Sequence, residues 1–399
     1  MRKSTANRQG ILPVQDIRKA VENKVIYSGK YDIPDSSFQP ASLDLRLGET
    51  AYRLRCSFLP ESQNVESKLR EYSMEKIDLR NGAILERNRP YLIPLMEQLS
   101  LPEHLEAKTN PKSSTGRLDV FTRVITDCSP SFDHIRAGYE SKLYLEVVSR
   151  TFTIKVKTGL SLNQIRLING DMSCSDKEIV DYHKKSPILY VGLNPVATAS
   201  LIVRKGLFLS VDLTPQNGNP IGYKAKKNSS LLDLTQKGKY SPDDFWEPIR
   251  PDQSYSRKVL RVVLEPEEFY LLWSKEKVVV PPQYAAEMTA YDPTNGELRT
   301  HYAGFFDPGF GYDPEGKVKG SRSVMEVRAH DVPFMIEDGQ KVAKLEFQRM
   351  LSCPDNLYGE RIGSSYQFQE KMLSKHFYPA HSKNTGRKRI SLADSRRLL

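Results

Sequence analysis

The chain has 399 residues, of which 39% are hydrophobic and 27% charged, with a formal net charge of +10. That length suits two domains of ordinary size, and the mixture of charges is typical of a globular protein rather than a disordered one. No apolar run is long enough to cross a membrane and the N-terminal residues lack the apolar stretch of a signal peptide, so we expect a cytoplasmic protein without a membrane partner.

The N-terminal segment predicts one helix, and most of the remaining chain predicts short strands. Val14, Ile17, Ala20 and Val21 recur at helical spacing. Alternating runs such as SKLYLEVVS, FTIKVK and KVLRVVLE come later, separated by Gly, Pro and Asn, which is typical of a sheet-rich sandwich or barrel. We therefore predict a mainly β fold that opens with a short helix.

The sequence repeats itself. The stretch YLIPLMEQLSLP, from Tyr91, matches YLLWSKEKVVVP, from Tyr270, at an offset of 179 residues. Further on, LYLEVVSRTFTIKVKTGLSLNQIRL matches SVMEVRAHDVPFMIEDGQKVAKLEF without a gap at an offset of 180, which places Glu146 on Glu326. Two segments at a nearly constant offset indicate two copies of one β domain.

The repeat divides the chain into a first domain, residues 1–180, and a second domain, residues 181–375. Residues 376–399 are basic, and we expect them to form a mobile tail. This tail holds part of the positive charge, and the rest would suit either nucleic acid or a small polyanion such as a nucleoside triphosphate.

A short loop of the first copy, NPKSSTGR, carries side chains suited to binding phosphate. Lys112, Ser113, Ser114 and Arg117 combine two hydroxyls with two cations, and arginine offers a planar fork to paired phosphate oxygens. An ordinary polar turn would have a similar composition. The second copy has Asp-Pro-Thr in place of the serines, and this asymmetry favours a functional role for the loop.

The second copy keeps features of its own. It contains a tight turn, AGFFDPGFG, which includes Asp307 and is interrupted in the first copy. Glu326 and Glu146 lie in apolar strand segments, where a pocket would raise the carboxyl pKa toward that of a general base and a solvent-facing position would not. His301 before the turn is another candidate, although a lone histidine is more often structural. We predict one composite site, because domain interfaces provide converging walls.

These motifs, in this order, resemble the dCTP deaminases. The family's opening helix and strand are matched by GILPVQDIRKAVENKVIYSG and FQPASLDLRLG, and its serine-serine-arginine motif, shared with the dUTP diphosphatases, by PKSSTGR. Its D-P-G turn and glutamate strand are matched by AGFFDPGFG and MEV, and its nucleotide-covering C-terminal segment by YGERIGSSYQFQ. The tandem form resembles a longer bacterial branch of this superfamily.

The resemblance implies a fold and a set of site residues. The fold would be a distorted jelly-roll β barrel of the dUTPase type, present twice. Catalysis would use Ser114 and Arg117 from the first copy and Ala303 and Glu326 from the second, with Glu146 as a possible alternative base. The remaining motif positions would bind substrate: Lys112, Ser113, Asp307, Tyr358, Tyr366 and Gln369.

Two departures from the family pattern concern nucleotide contacts. Phe305 replaces a family arginine, and Ser365 replaces the lysine that precedes the C-terminal tyrosine. If the resemblance holds, two contacts to phosphate or base must come from elsewhere in this chain.

The implied activity is hydrolytic deamination of dCTP to dUTP and ammonia, with a glutamate acting as base and then acid. Mg²⁺ would be bound through the triphosphate. We expect neither zinc nor a metal site in the protein, because the four cysteines form no close pair and the HLE at residues 104–106 lacks the P-C-x-x-C partner of zinc deaminases. A homo-oligomer is expected, with dTTP as a possible feedback inhibitor and no nucleic-acid partner.

Other functions are compatible with these motifs. A dUTP diphosphatase would use the same fold with an aspartate of the D-P-G region, and a bifunctional enzyme would convert dCTP to dUMP. A protein of a different class would be a duplicated barrel that binds nucleotide as a regulator without catalysis.

Overall fold

The computed structural model describes residues 8–215, 220–250, 259–290, 298–300, 304–329, 331–359 and 363–378. Five helices occur in these ranges: α1 (Val14–Glu22), α2 (Val65–Tyr72), α3 (Ser113–Gly116), α4 (Asp176–Lys185) and α5 (Pro242–Phe245). None of them, within the same ranges, has the length and apolar character needed to span a bilayer.

Strands make up most of the remaining regular structure. Those of the first half are β1 (Gly10–Ile11), β2 (Ile26–Tyr27), β3 (Leu43–Arg46), β4 (Thr50–Leu54), β5 (Ser73–Asp78), β6 (Ala83–Leu85), β7 (Tyr91–Ser100), β8 (Leu105–Pro111), β9 (Val120–Ile125), β10 (His134–Ile135), β11 (Glu140–Ser149), β12 (Ile154–Val156) and β13 (Ser161–Asn169). Those of the second half are β14 (Leu189–Val191), β15 (Asn194–Pro195), β16 (Leu207–Asp212), β17 (Gly222–Ala225), β18 (Leu232–Asp233), β19 (Trp246–Ile249), β20 (Arg261–Leu264), β21 (Tyr270–Val278), β22 (Tyr284–Ala290), β23 (Leu298–Thr300), β24 (Phe305–Phe306), β25 (Ser321–Ala329), β26 (Phe334–Glu337) and β27 (Lys341–Arg349). The predicted mainly β fold is confirmed.

The opening helix forms as its sequence pattern predicts. Pro13 precedes the first turn, and Val14, Ile17 and Ala20 are buried on one face of α1. Asp16 lies in the first turn and Lys19 in the last, where each charge is favourable to the helix dipole. Packing of the apolar face therefore fixes α1 against the sheets of the first half.

The two halves repeat the same strand pairings. Antiparallel β7 and β11 correspond to β21 and β25, and antiparallel β8 and β13 correspond to β22 and β27. Even the register agrees, because Glu146 pairs with Leu92 while Glu326 pairs with Leu271. The sequence repeat is therefore a structural repeat.

The halves are packed together and share part of one core. Strand β18 of the second half pairs in parallel with β12 of the first half. Phe152 of the first half packs edge-on against Phe245 and Trp246 of the second. Because this aromatic contact is continuous with the main core of the first half, the interface is a fixed surface on which a site can be built.

The boundary predicted for the C-terminal tail is wrong. His376 and Phe377, which lie within the predicted mobile tail, are buried, and Phe377 contacts the aromatic rings of Tyr240 and Phe245. The ring of Phe377 is part of the shared core, so the chain is packed at least as far as residue 377. Residues 379–399 lie outside the described residues.

Candidate active site between the two halves

A cavity of about 530 Å³ opens between the halves. Its walls come from α3 and the residues after it in the first half, from β25 and the D-P-G turn in the second, and from the C-terminal segment. It brings together most of the site residues predicted from the sequence: Lys112, Ser113, Ser114, Arg117, Asp307, Glu326, Tyr358, Tyr366 and Gln369. Ala303 and His301 lie outside the described residues.

Glu326 is the least partnered carboxyl in this cavity. It lies on β25, is 8% exposed and accepts no hydrogen bond from any residue that the structure describes. Burial raises the pKa of Glu326 well above its usual range, the positive charge of Arg117 opposes this, and the negative charge of Asp119 adds to it. The side chain therefore binds a proton more readily than an exposed glutamate does, which suits it to exchange a proton with a bound molecule.

The close approach of Glu326 to the serine loop depends on a glycine. A Cβ atom at Gly116 would lie 2.5 Å from Glu326 Oε2, closer than side-chain atoms normally approach. Because Gly116 has no side chain, the carboxyl of the second half can reach the backbone of the first. The glycine of the loop sequence KSSTGR therefore makes this close approach possible.

The serine loop is a single helical turn fixed at both ends. The N–H groups of Thr115 and Gly116 donate to Lys112 O over 2.8 and 3.0 Å. Ser374 Oγ, from the C-terminal segment, donates to Ser114 O over 3.0 Å. Ser114 is buried and lines the same cavity as Glu326.

Arg117 holds the C-terminal segment over the cavity. Its guanidinium lies 3.7 Å from the centre of the Tyr366 ring, a cation–π contact. Nη2 donates to Gln369 Oε1 over 2.7 Å, and Nη1 donates to Met372 O over 3.1 Å. The predicted site residues Arg117, Tyr366 and Gln369 are thus brought together, and the segment that they fix forms one wall of the cavity.

Asp307 has a partner that the sequence analysis did not identify. Arg166 of the first half, 1% exposed at its side chain, donates from Nη2 to Asp307 Oδ1 over 3.1 Å and to Phe306 O over 3.0 Å. Its guanidinium also stacks on Phe305, 3.9 Å from the ring centre. Burial raises the pKa of Asp307 and the charge of Arg166 opposes this, so the D-P-G turn is fixed by an ion pair across the interface.

Three lysines gather at one end of the cavity, and two of them were not predicted. Lys112 is ion-paired with Asp44, while Lys237 and Lys375 line the same region. Burial, followed by the charges of Lys112 and Lys237, lowers the pKa of Lys375 to about 8. No sequence signal pointed to this cluster, because Lys375 comes far from the serine loop and next to the segment predicted as a tail.

Glu146 does not belong to the cavity. It is fully buried in β11 and accepts hydrogen bonds from Arg123 Nε over 2.8 Å and from Arg123 Nη2 over 2.5 Å. Arg123 also stacks on Phe132, with its guanidinium carbon 3.7 Å from the ring centre. The structure therefore does not bring Glu146 to this cavity, and its carboxylate forms an ion pair with Arg123 instead.

The geometry and the comparisons with known proteins agree. The model of the 2'-deoxycytidine 5'-triphosphate deaminase N-terminal domain matches residues 8–171, and the model of the C-terminal domain matches residues 175–377. The chain belongs to the dCTP deaminase family. Within this family, the chain is similar to the crystal structure of 2'-deoxycytidine 5'-triphosphate deaminase from Agrobacterium tumefaciens, with a TM-score of 0.78 and 44% identity. That match covers 86% of this chain and 100% of the other.

Curated relatives align with less than half of this chain. The dCTP deaminase of Haloarcula marismortui is 26% identical over 159 residues, which is 39% of this chain and 78% of the relative. A protein of Methanothermobacter thermautotrophicus named dCTP deaminase, dUMP-forming, is 28% identical over 138 residues, 34% of this chain and 67% of the relative. The tandem dUTPase-like fold expected from the sequence is thus confirmed, as two family domains in one chain.

Proposed function

We propose that the cavity binds dCTP and removes its exocyclic amine by hydrolysis, giving dUTP and ammonia, with Glu326 as general base and then general acid. The observation that carries this proposal is the buried carboxyl of Glu326, which has no hydrogen-bond partner among the described residues and faces the serine loop of the other half. Deamination needs a proton removed from water and delivered to the amine, and one carboxyl of raised pKa can perform both transfers.

The raised pKa matters because of the cost of activating water. A glutamate of ordinary pKa, about 4.3, would require roughly 15 kcal/mol to generate free hydroxide from water of pKa about 15.7. Burial narrows this difference by raising the pKa of Glu326. We propose that the carboxyl takes the proton while the bond from water to C4 forms, with the Ser114 hydroxyl and the loop backbone holding water and amine in line.

The lysine end of the cavity would hold the triphosphate. Lys112, Lys237 and Lys375 supply positive charge there, and they offer the contacts that Phe305 and Ser365 cannot make. No group of three His, Cys, Asp or Glu side chains suited to a metal occurs within the described ranges. Asp44, a carboxylate at this end, is already paired with Lys112, so we propose that Mg²⁺ is carried by the nucleotide.

A second candidate activity is supported by a specific observation. Asp307 is another buried carboxyl of the same cavity, and burial raises its pKa as well. Several curated relatives carry the name dCTP deaminase, dUMP-forming. A bifunctional enzyme would use a second carboxylate to hydrolyse the triphosphate after deamination. Asp307 is held by Arg166, whereas Glu326 has no such partner among the described residues, and this favours deamination alone.

Chromatographic identification of products, with ammonia assayed in parallel, tests the proposal. Purified protein is mixed with Mg²⁺ and dCTP, and in a separate reaction with Mg²⁺ and dUTP. Formation of dUTP with an equal amount of ammonia supports the deaminase, and dUMP with pyrophosphate supports the bifunctional enzyme. If dCTP is unchanged while dUTP is hydrolysed, the protein is a diphosphatase. If both nucleotides bind and neither reacts, it is a nucleotide-binding regulator.

A further inference from the structure

Behind the serine loop, the two halves are joined by a buried ion pair between Asp119 and Arg328. Arg328 Nη2 donates to Asp119 Oδ2, and Nε donates to Oδ1 over 3.3 Å. Asp119 is completely buried and Arg328 is 5% exposed. Since Asp119 belongs to the first half and Arg328 to the second, the pair crosses the interface in which the cavity lies.

Each member of the pair lies close in sequence to one of two features that face each other in the cavity. These features are Glu326 and the serine loop. Arg328 follows Glu326 by two residues on β25, and side chains two apart on a strand share a face. Asp119 terminates the serine loop, with its N–H donating to Gly116 O over 2.9 Å and its φ at +57°. The ion pair therefore links the strand of Glu326 to the loop that Glu326 approaches.

Further hydrogen bonds hold the pair in one geometry. Thr151 Oγ1, of the first half, donates to Asp119 Oδ2 over 2.5 Å and accepts from Arg328 Nη2 over 3.1 Å. Arg328 Nη1 donates to Glu267 O, of the second half, over 2.5 Å. A buried pair of this kind contributes little net stability relative to apolar residues, but it specifies one relative placement of the groups that it joins.

The sequence of the first copy lacks an arginine at the position equivalent to Arg328. Where the repeat places Arg328, the first copy has Val148, and the glutamate two residues earlier, Glu146, is bound by Arg123. The ion pair thus occurs on the strand whose glutamate lacks a partner among the described residues and lines the cavity. This correlation points to a role in the site rather than in the barrel itself.

We propose that the Asp119–Arg328 ion pair positions the Glu326 carboxyl against the serine loop for the deamination proposed above, on which this inference rests. Without the pair, the strand and the loop can separate, and the carboxyl no longer lies in line with water and C4. The charges that act on this carboxyl are those of Arg117 and Asp119. The other titratable side chains that line the same cavity include Asp307, Tyr358 and Tyr366.

Steady-state kinetics of Arg328→Gln with dCTP tests the positioning. Misplacement of a reacting group by about 1 Å lowers the rate by about 10²-fold, so we expect kcat to fall roughly 100-fold while KM changes less than about threefold. Arg328→Lys keeps the charge facing Asp119 and is expected to restore most of kcat. The matched control is Arg123→Gln, which breaks the buried ion pair of the first copy and should leave kcat unchanged.

The pH dependence of Asp119→Asn supplies a readout that a purely structural role would not move. Asparagine tolerates the positive φ of this position, and removal of the negative charge lowers the pKa of Glu326. The base must be ionised to act. In Asp119→Asn we therefore expect the acid limb of the plot of kcat against pH to shift to lower pH. This measurement needs only the Asp119→Asn variant, even where Arg328→Gln fails to fold.

The outcomes separate this inference from the proposed function. If the unmodified protein releases no ammonia from dCTP, the deaminase proposal fails. If the unmodified protein is active and Arg328→Gln retains full kcat, or Asp119→Asn leaves the acid limb in place, the positioning role is overturned and the deaminase proposal stands. A loss of kcat in Arg123→Gln equal to that in Arg328→Gln would also overturn it.

Discussion

Replacing Gly116 by alanine would place a methyl group against the proposed base. The added Cβ would lie 2.5 Å from Glu326 Oε2 and 2.8 Å from its carboxyl carbon. To regain an ordinary contact the carboxyl must retreat by about 1 Å, and a displacement of that size costs about 10²-fold in rate. We therefore expect kcat for ammonia release from dCTP to fall roughly 100-fold in Gly116→Ala.

The same variant should leave folding and nucleotide affinity almost unchanged. Alanine is the better helix former, so α3 is not weakened, and the lysine end of the cavity is untouched. Gly359→Ala is the matched control, because a Cβ there would meet no atom of the described residues within 4 Å. A Gly116→Ala protein with the kcat of the unmodified chain would refute the placement of Glu326 as the base.

Three further predictions concern the walls of the cavity. Arg117→Lys removes the guanidinium that donates hydrogen bonds to Gln369 and Met372. We expect KM for dCTP to rise roughly tenfold, which corresponds to about 1.5 kcal/mol. Limited proteolysis should also cut the C-terminal segment faster. Burial and Lys112 lower the pKa of Lys375 to about 8, so KM should rise above pH 8 as this charge is lost; Lys375→Met should show a higher KM at pH 7 without that rise. Burial and Lys375 lower the pKa of His376 from 6.5 to about 4. As the pH falls, the unfolded chain therefore binds this proton before the folded chain does. The free energy of unfolding should decrease by about 3 kcal/mol between pH 6.5 and pH 4. Thermal unfolding of His376→Asn should lack this decline.

The repeat and the motif loops could be predicted from the sequence because both are local patterns. Alternation of apolar residues predicted strands such as β11 and β25, and the constant offset predicted their equivalence. The serine loop and the D-P-G turn were visible as short runs of residues with restricted backbone geometry. Each of these signals needs only a few neighbouring residues to be recognised.

Contacts that cross the interface could not be predicted in this way. Arg166 meets Asp307 across 141 residues of sequence, and Arg328 meets Asp119 across 209. The sequence did contain a signal for Arg328. In the aligned repeat, this charged residue of β25 takes the position that Val148 has in β11. That substitution in an apolar strand indicates a new partner, although not which residue it is.

The two glutamates show the limit most clearly. Glu146 and Glu326 stand in nearly identical segments, YLEV and VMEV, and pair with equivalent strands. Their environments differ because Arg123 covers one carboxyl while Gly116 leaves room for the other. The distinction depends on residues far away in sequence, so strand patterning alone could not decide between the two carboxyls.

The measurement that tests the central claim most directly compares ammonia release from dCTP by the unmodified protein, Glu326→Gln and Glu146→Gln. Loss of a general acid–base group typically costs about 10²–10⁴ in rate, so Glu326→Gln should lose ammonia release by at least 100-fold while calorimetry still detects dCTP binding. Glu146→Gln should remain active. An active Glu326→Gln protein, or a Glu146→Gln protein that binds dCTP and does not deaminate it, would contradict the assignment of the base to the second copy.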